Sequence, residues 1–518
     1  MAANQSLIVA AIDFGTTYSG WAFSFKHEYE SDPTKIFTNI WTASQLSSYK
    51  APTSILIQPD GHTVEAFGFE AENRYSEICA EGNQKAWYYF RRFKMLLWGT
   101  GEISSDITKE TKIKDVSGKE LQALLVFSLS IKFMKDKMMQ TSNKQLGANK
   151  LEEKDFHWVL TVPAIWNDKA KHFMRLAAEA CGIPGERLSI ALEPEAASLY
   201  CKHLKVDKQT LKENTLAAFH EGKTYMVLDA GGGTVDITIH EVCHGGGLKE
   251  VDKASGGAWG GITVDEAFIK FMEEVAGEAV IQRFKEDHME DYLELLRDFE
   301  SKKRNVDADT DNLVTLRVPM QLCELAAEMK SITLRNLIST SSYSQQVELK
   351  GDKLRIKSAI FRSFFDRSIQ SIVQHVEELL KKPENSAVEA ILMVGGYSES
   401  PLLQETVRKR FSKLTMITPG DAGLAVLKGA VIFGHEPIVI RERVAKYTYG
   451  IESGINVFGL FRIPGIFSIL VSKGQKLVVG EPQKEETYVP SREDQTEALV
   501  KIYVTRAENP RSVNEPGC

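Results

Sequence analysis

Apolar residues along this chain follow two rhythms, short unbroken runs and stretches that recur every three to four positions, and the two alternate through most of its length. The unbroken runs read as strands buried on both faces, and the longer period reads as amphipathic helix. Phe156-His157-Trp158-Val159-Leu160-Thr161-Val162 is such a strand, stopped by Pro163; Asn167-Asp168 then caps a helix over 169–180 that closes at Gly182. Further helices are predicted over 264–276 and, rich in charge, over 287–304. Strand, turn and helix in succession predict an α/β fold with sheets that are at least partly parallel.

One pattern occurs twice. Val9-Ala10-Ala11-Ile12-Asp13-Phe14-Gly15-Thr16-Thr17 returns in outline as Met226-Val227-Leu228-Asp229-Ala230-Gly231-Gly232-Gly233-Thr234. Each copy is an apolar strand ending in Asp, a glycine turn with a Thr, and a second alternating strand, over 19–25 and 235–241. Each therefore predicts a β-hairpin with a tight turn, and the repetition predicts two related lobes. A third apolar strand runs into Met393-Val394-Gly395-Gly396-Tyr397-Ser398, followed by Pro401 and a helix from about Leu402. After Pro437 the pattern changes to short strands over 447–451, 467–471 and 498–504, with a polar stretch over 481–495 and an end, 506–518, expected to fray. The predicted organisation is a first lobe over 1–220 and 418–437, a second over 221–417, and a short β-rich region over 438–518.

Composition narrows the function classes. With 518 residues, 43% hydrophobic and 26% charged, the chain reads as an ordinary globular protein, and no apolar stretch approaches the ~20 residues of a membrane helix. A net charge of -7 argues against a nucleic-acid partner, which wants a clustered basic face; Arg408-Lys409-Arg410 reads as a solvated helix face. The six cysteines show no CxxC spacing, which suits neither a disulfide framework nor a zinc site, and they are expected to be reduced. The apolar start lacks a basic leader and reads as a first strand, so the expected compartment is the cytoplasm, with the nucleus as the alternative. His157, His172, His240 and His244 show no metal-ligand spacing, and HExxH, GxSxG and P-loop motifs are absent from the sequence.

The paired turns suit a phosphate chain. Backbone N–H groups must approach its oxygens, and glycine leaves nothing in the way. Gly231-Gly232-Gly233 meets that need; hydroxyls at Thr16, Thr17 and Thr234 can donate to phosphate; Asp13 and Asp229 can hold Mg2+ through its water shell. Two such hairpins facing each other would clamp one ATP or ADP, with Gly395-Gly396 offering a flat surface to adenine or ribose.

In this order, AIDFGTTYSG, TVPAIWNDKAK, ALEPEAASLY, LDAGGGTVDI and MVGGYSES resemble the actin, sugar-kinase and heat-shock ATPase superfamily, and in combination the 70-kilodalton heat-shock chaperones. GGAWGG at 256–261, DAGLAVLKGAVIFGH at 421–435 and the unusual carboxyl-terminal part are similar to the divergent subgroup called heat shock 70 kDa protein 12, forms A and B. The likeness covers residues 7–437 and implies a duplicated actin-like (ribonuclease H-like) fold, two lobes around a nucleotide cleft. By position it implies that Thr16 and Thr17 contact the phosphates, that Asp13, Glu193 and Asp229 surround the hydrated magnesium, that Asp236 and Thr234 support the attacking water, and that Lys94 orients it. Glu300, Lys303 and Arg304 would contact adenosine, and Gly15, Tyr18, Gly256, Gly257, Gly395, Gly396 and Tyr397 complete the nucleotide contacts. The function so implied is a chaperone-like switch that binds Mg-ATP, hydrolyses it slowly and answers to client or signalling proteins and co-chaperones. A small-molecule kinase of the same fold and a pseudo-ATPase scaffold are the alternatives.

The chain also departs from the family. Glu399 stands where an arginine stacks on the adenine, and Asp307 lies near the place of its companion serine. Pro163 at the lobe hinge and Gly429-Ala430 are retained. The stretch after Gly434 is too short for a peptide-gripping β-sandwich and a helical lid, with no acidic-leucine linker and no acidic tail, so peptide chaperoning of the standard kind is not expected.

Overall fold

The strand-forming runs are buried on both faces, as their unbroken apolar character requires. Ile8–Phe14, Phe156–Val162 and Thr224–Ala230 are buried at every position. The computed structural model describes residues 6–43, 46–98, 107–146, 151–204, 219–309, 312–437, 440–457, 461–485, 487, 496–497 and 500–515. In it these runs organise two mixed sheets. The first has the order Leu188–Leu192, Phe156–Val162, Ile8–Phe14, Tyr18–Phe25, Phe37–Thr38, with Ala51–Pro52 also pairing with the second hairpin strand. The second has the order Thr415–Ile417, Val388–Val394, Thr224–Ala230, Val235–Val242, Leu248–Gly257, Ile440–Val444, Lys476–Val478.

The repeat in sequence is also a repeat in pairing. In each sheet the first hairpin strand binds its partner antiparallel on one side, Asp13 opposite Gly20 and Asp229 opposite Asp236, and a parallel strand on the other, Ile8 with Phe156 and Met226 with Ile391. Both glycine turns therefore leave their sheets at the end where the parallel strands also finish, the end at which open α/β sheets bind ligands.

Two helices, Glu193–His203 and Ala425–His435, fill the space between the sheets. Val9, Ala11 and Val159 from the first sheet share one core with Tyr225, Val227 and Leu392 from the second and with Ala196, Ala197 and Ala430 of these helices. The helices cross so closely that a Cβ on Gly429 would lie 1.6 Å from the Ala196 carbonyl oxygen, so only glycine fits there. The outer face of the first sheet is covered by Ala123–Leu146 and Asp168–Ala180, and that of the second by Gly261–Ala276, Met289–Lys303 and Asp366–Leu380.

Several predicted elements shift. The helix expected from 169 is Asp168–Ala180, its Asn167 side chain accepting from the Ala170 N–H. The helix expected over 287–304 is Met289–Lys303, and a further helix, Glu278–Asp287, precedes it, the two separated at His288, which leaves helical geometry at φ -131°, ψ 53°. After Pro437, Ile440–Val444 and Lys476–Val478 extend the second sheet, while Phe461–Val471, Thr448–Val457 and Ile502–Thr505 form a three-stranded sheet of their own. Most of the polar stretch 481–495, the start of the expected strand at 498–499, and 516–518 with Cys518 lie outside the described residues. Among the described residues no helix is long and apolar enough to cross a membrane.

Candidate functional site

Four carboxylates gather where the two sheets meet. Asp13 and Asp229 end the equivalent first hairpin strands, Asp236 faces Asp229 across the second hairpin, and Glu193 opens the helix that follows Leu188–Leu192. Asp13, Asp229 and Asp236 are 4%, 4% and 1% exposed. Two lysines answer them. Lys94, itself 1% exposed, sets Nζ 2.9 Å from Glu193 Oε1 and lies over the Trp166 ring. Lys50 sets Nζ 2.6 Å from Asp13 Oδ2, while Thr161 donates to Asp13 Oδ1. Asp236 Oδ1 accepts the Ile165 N–H at 2.8 Å, just past Pro163. Among the described residues Asp229 Oδ2 has no hydrogen-bond partner.

The charges are unevenly compensated. Burial would push Asp13 up, but Lys50, and then Lys94 and Thr161, hold it below the ordinary carboxylate value. Burial raises Glu193, opposed by Lys94 and reinforced by Asp13. Burial and the neighbouring Glu193 push Asp236 up to about 7, and burial together with Glu193, Asp236 and Asp13 pushes Asp229 well above its usual value. Such a site is short of positive charge, and an orphaned carboxylate oxygen at its centre fits a bound cation. Among the described residues no three acidic, His or Cys side chains stand close enough to hold a metal ion directly, so the donor set suits an ion that keeps its waters, as magnesium does.

The two glycine turns lie against each other above this cluster. A Cβ on Gly232 would fall 1.9 Å from Thr17 Oγ1, and one on Gly233 2.8 Å from Thr16 Oγ1. Their carbonyls are engaged from behind. Thr53 donates through its hydroxyl to Gly15 O and through its N–H to Thr17 O; the N–H groups of Gly261, Ile262 and Gly260 donate to the carbonyls of Gly231, Gly232 and Gly233. Among the described residues the amides of Thr16, Thr17, Gly232 and Gly233 have no protein acceptor, whereas Gly231 N–H closes the turn on Thr234 O. Four unclaimed amides on facing turns are available to anionic oxygens.

Beside the turns a chain of ion pairs joins the segment after strand Tyr88–Arg91 to the helices Gly261–Ala276 and Met289–Lys303. Arg92 pairs with Asp265 at 2.7 Å, Asp265 with Lys303 at 2.6 Å, Lys303 with Glu300 at 2.5 Å, and Glu300 with Arg304 at 2.9 Å. Arg304 in turn lies over the Tyr18 ring, 5.2 Å from its centroid. Burial works against the Glu300 carboxylate, yet Lys303 and Arg304 hold it down to about 2; burial and Glu300 raise the Tyr18 phenol to about 12. Gly395, at φ +86°, abuts Asp229, since a Cβ there would lie 2.4 Å from Asp229 Oδ1, and Gly396 faces open space. Tyr397 is buried against Phe365, and Gly256 and Gly257 pair with Asp236 and Val235 in the sheet. Glu399 accepts the Gly423 N–H at 2.9 Å. A cavity of about 250 Å³ lined by Trp21, Trp41, Phe67 and Phe133 shares no residue with this site.

The structure brings together Asp13, Thr16, Thr17, Lys94, Glu193, Asp229, 231–234 and Asp236, and likewise Tyr18 with Glu300, Lys303 and Arg304; Tyr397 is buried beside Gly261, where a Cβ would lie 3.9 Å from its ring and 3.7 Å from Lys303 Nζ. Missing from the sequence expectations are Lys50, Thr53, Arg92 and Asp265, which match no motif and meet the site only through the fold, and Thr161, which opens the TVPA segment but carries no predicted role.

Known proteins resemble this sequence. A family model described as Hsp70 protein matches residues 101–295, and one described as a domain of unknown function matches 219–417. Heat shock 70 kDa protein 12A of Mus musculus is 32% identical over 573 residues, covering 99% of this chain and 83% of that protein. The chain belongs to the Hsp70 family. The Homo sapiens 12A protein is 32% identical with the same coverage, and human heat shock 70 kDa protein 12B is 32% identical over 577 residues, 98% of this chain and 82% of its own. This Hsp70 relative therefore falls with the divergent 12A and 12B subgroup. The Hsp70 match includes Glu193, Asp229, Asp236 and the glycines 231–233, and the match of unknown function extends past them through 395–397.

Proposed function

We propose that this protein is an ATP-binding switch of the Hsp70 type, built on two duplicated actin-like lobes that bind Mg-ATP between them and hydrolyse it slowly. The observation that carries the proposal is the meeting of the two repeated glycine turns, with unclaimed amides, over a buried carboxylate cluster containing the orphaned Asp229 Oδ2.

On this reading Thr16, Thr17, Gly232 and Gly233 receive phosphate oxygens, while Asp13, Glu193 and Asp229 hold the water shell of the ion. Bound magnesium would supply neutralisation of the charge on the phosphates. Lys94, fixed by Glu193 and Trp166, presents one ammonium to the same region, where it can orient a water; Asp236 and Thr234 steady that water. Tyr18, Glu300, Lys303 and Arg304 line the nucleoside side, with Glu399 weakening the hold on the base. Because the turns touch, a phosphate chain between them requires them to part, so binding is coupled to lobe movement. That movement is what client or signalling proteins and co-chaperones would sense, provided they bind the two states differently. The five described cysteines are free, in keeping with a reducing compartment such as cytoplasm or nucleus.

Calorimetric titration of the full chain with ATP and MgCl2, then turnover with and without added acceptors, tests the proposal. Binding with slow acceptor-independent hydrolysis is expected. ATP consumption that appears only when a sugar or other hydroxyl acceptor is added, with the phosphoryl group carried onto that acceptor, would make it a kinase; no heat and no thermal stabilisation would overturn nucleotide binding altogether.

A further inference from the structure

Lys50 has no part in any motif, yet its ammonium reaches the carboxylate cluster at Asp13. The pairing of Ala51–Pro52 with the start of Tyr18–Phe25, Ser19 opposite Ala51 and Tyr18 opposite Pro52, delivers the residue before Ala51 to the mouth of the first turn. From there its stem passes over Gly20, the residue opposite Asp13, where a Cβ would come within 3.0 Å of Lys50 Cγ. Its ammonium ends 2.6 Å from Asp13 Oδ2. The bare backbone at Gly20 is therefore the channel that lets this lysine reach the cluster.

The two lysines of the site are held differently. Lys94 is sealed in, with its side chain 2% exposed, paired with Glu193 and laid over Trp166. Lys50 keeps 17% of its side chain exposed and has a single carboxylate partner, so it has a way out. A hydrated divalent ion drawn to Asp13, Glu193 and Asp229 would have to share Asp13 Oδ2 with an ammonium already in hydrogen-bond contact. Both are cations, and at such range in a buried site their repulsion exceeds thermal energy several-fold.

We propose that Lys50 is a tethered counter-ion that trades places with the divalent ion at Asp13. Without nucleotide the ammonium holds the position and the cluster takes up little free metal. With nucleotide, the phosphates bring negative charge that both favours the ion and gives the displaced ammonium a new partner. Ion uptake is thereby made conditional on nucleotide. The inference rests on the Mg-ATP reading of the cleft, but its decisive measurement needs no nucleotide.

That measurement is titration of the EDTA-stripped full chain with MnCl2 alone, with free Mn2+ read by electron paramagnetic resonance, for the wild type and for Lys50→Met, Lys50→Gln and Lys50→Arg. The neutral variants should bind Mn2+ at least about tenfold tighter than the wild type, as expected from removing one like charge beside the ion; the arginine variant should behave as the wild type. The neutral variants should also lose thermal stability in EDTA and recover it on adding Mn2+, a rescue the wild type does not need, which keeps the test readable if they fold poorly without metal. Equal Mn2+ affinity in wild type and both neutral variants would overturn the proposal. A wild type that fails to bind Mg-ATP would instead overturn the function proposed above and leave the manganese comparison to be judged by itself.

Discussion

Replacing Asp229 should act with opposite signs in two assays. Its carboxylate is 4% exposed, Oδ2 has no partner among the described residues, and burial with three neighbouring carboxylates raises its pKa well above 3.8. A group in that position opposes folding when no cation is present. Asp229→Asn keeps the shape and removes the charge. Each pKa unit by which burial and like charges raise a carboxyl costs its ionised form about 1.4 kcal/mol, so in EDTA at neutral pH the uncharged variant should be the more stable, seen as a rise of roughly a few degrees in melting temperature. The pH dependence comes from the direction of the shift. A raised carboxyl keeps its proton in the native state where the unfolded chain has lost it, so the wild type loses stability as pH rises above 3.8, and the variant's advantage should grow from almost nothing near about pH 4 toward neutrality. With Mg-ATP the sign reverses. The hydrated ion loses one of the carboxylates around it, and affinity should fall by about 10–100-fold. Thermal melts in EDTA at several pH values, paired with calorimetry against Mg-ATP, measure both. A variant less stable than the wild type in neutral EDTA, or one binding Mg-ATP unchanged, would refute the electrostatic account.

Three further outcomes are expected. Lys94→Ala should leave Mg-ATP affinity within about threefold while lowering single-turnover hydrolysis by ~10²–10⁴-fold; full residual hydrolysis would remove Lys94 from the catalytic reading. Gly232→Ala puts a methyl 1.9 Å from Thr17 Oγ1 and should force the turns apart at a cost of ~1–3 kcal/mol, read as faster amide exchange in both turns, whereas Gly420→Ala, with open space around it, should change neither stability nor exchange. His240, 2% exposed and hydrogen-bonded to Ser198, is lowered to about 4 by burial and then by Arg443. Its native form excludes the proton that the unfolded chain accepts near 6.5, so stability is complete above that pH and falls by up to about 3 kcal/mol as pH drops to about 4; an NMR titration of this ring above pH 6 would contradict it.

What the sequence disclosed, and what it hid, divides along contact distance in the chain. The hairpins at Asp13 and Asp229 were legible because strand, turn and chemistry occupy one short window, and because one window repeats the other. The helix over Asp168–Ala180 was legible for the same reason, its Asn cap and closing glycine being local signals. The preceding helix Glu278–Asp287 was not, since the predicted helix starts only at about 287. Nor were Lys50, Arg92 and Asp265, whose roles exist only once Ala51–Pro52 pairs with the first hairpin and Gly261–Ala276 is seated behind the second turn. Lys94 stands between these cases. Its local pattern is that of a solvated helix residue, yet Arg92 just before it adopts a left-handed backbone at φ 53°, ψ 21°, and the 3-10 turn Phe93–Leu97 then places Lys94 in the site. A left-handed non-glycine residue costs of the order of 1–3 kcal/mol, and Arg92 also pairs with Asp265 of the helix Gly261–Ala276 behind the second turn. Strained backbone at Arg92, an unpartnered carboxylate at Asp229 and crowded like charges meet in one site, although a second left-handed residue, Ser331 at φ 56°, ends the helix Met320–Lys330 elsewhere. Costs that the surrounding fold could have avoided are kept where a ligand can repay them, and that concentration is the physical reason to look for nucleotide and metal at the junction of the two sheets.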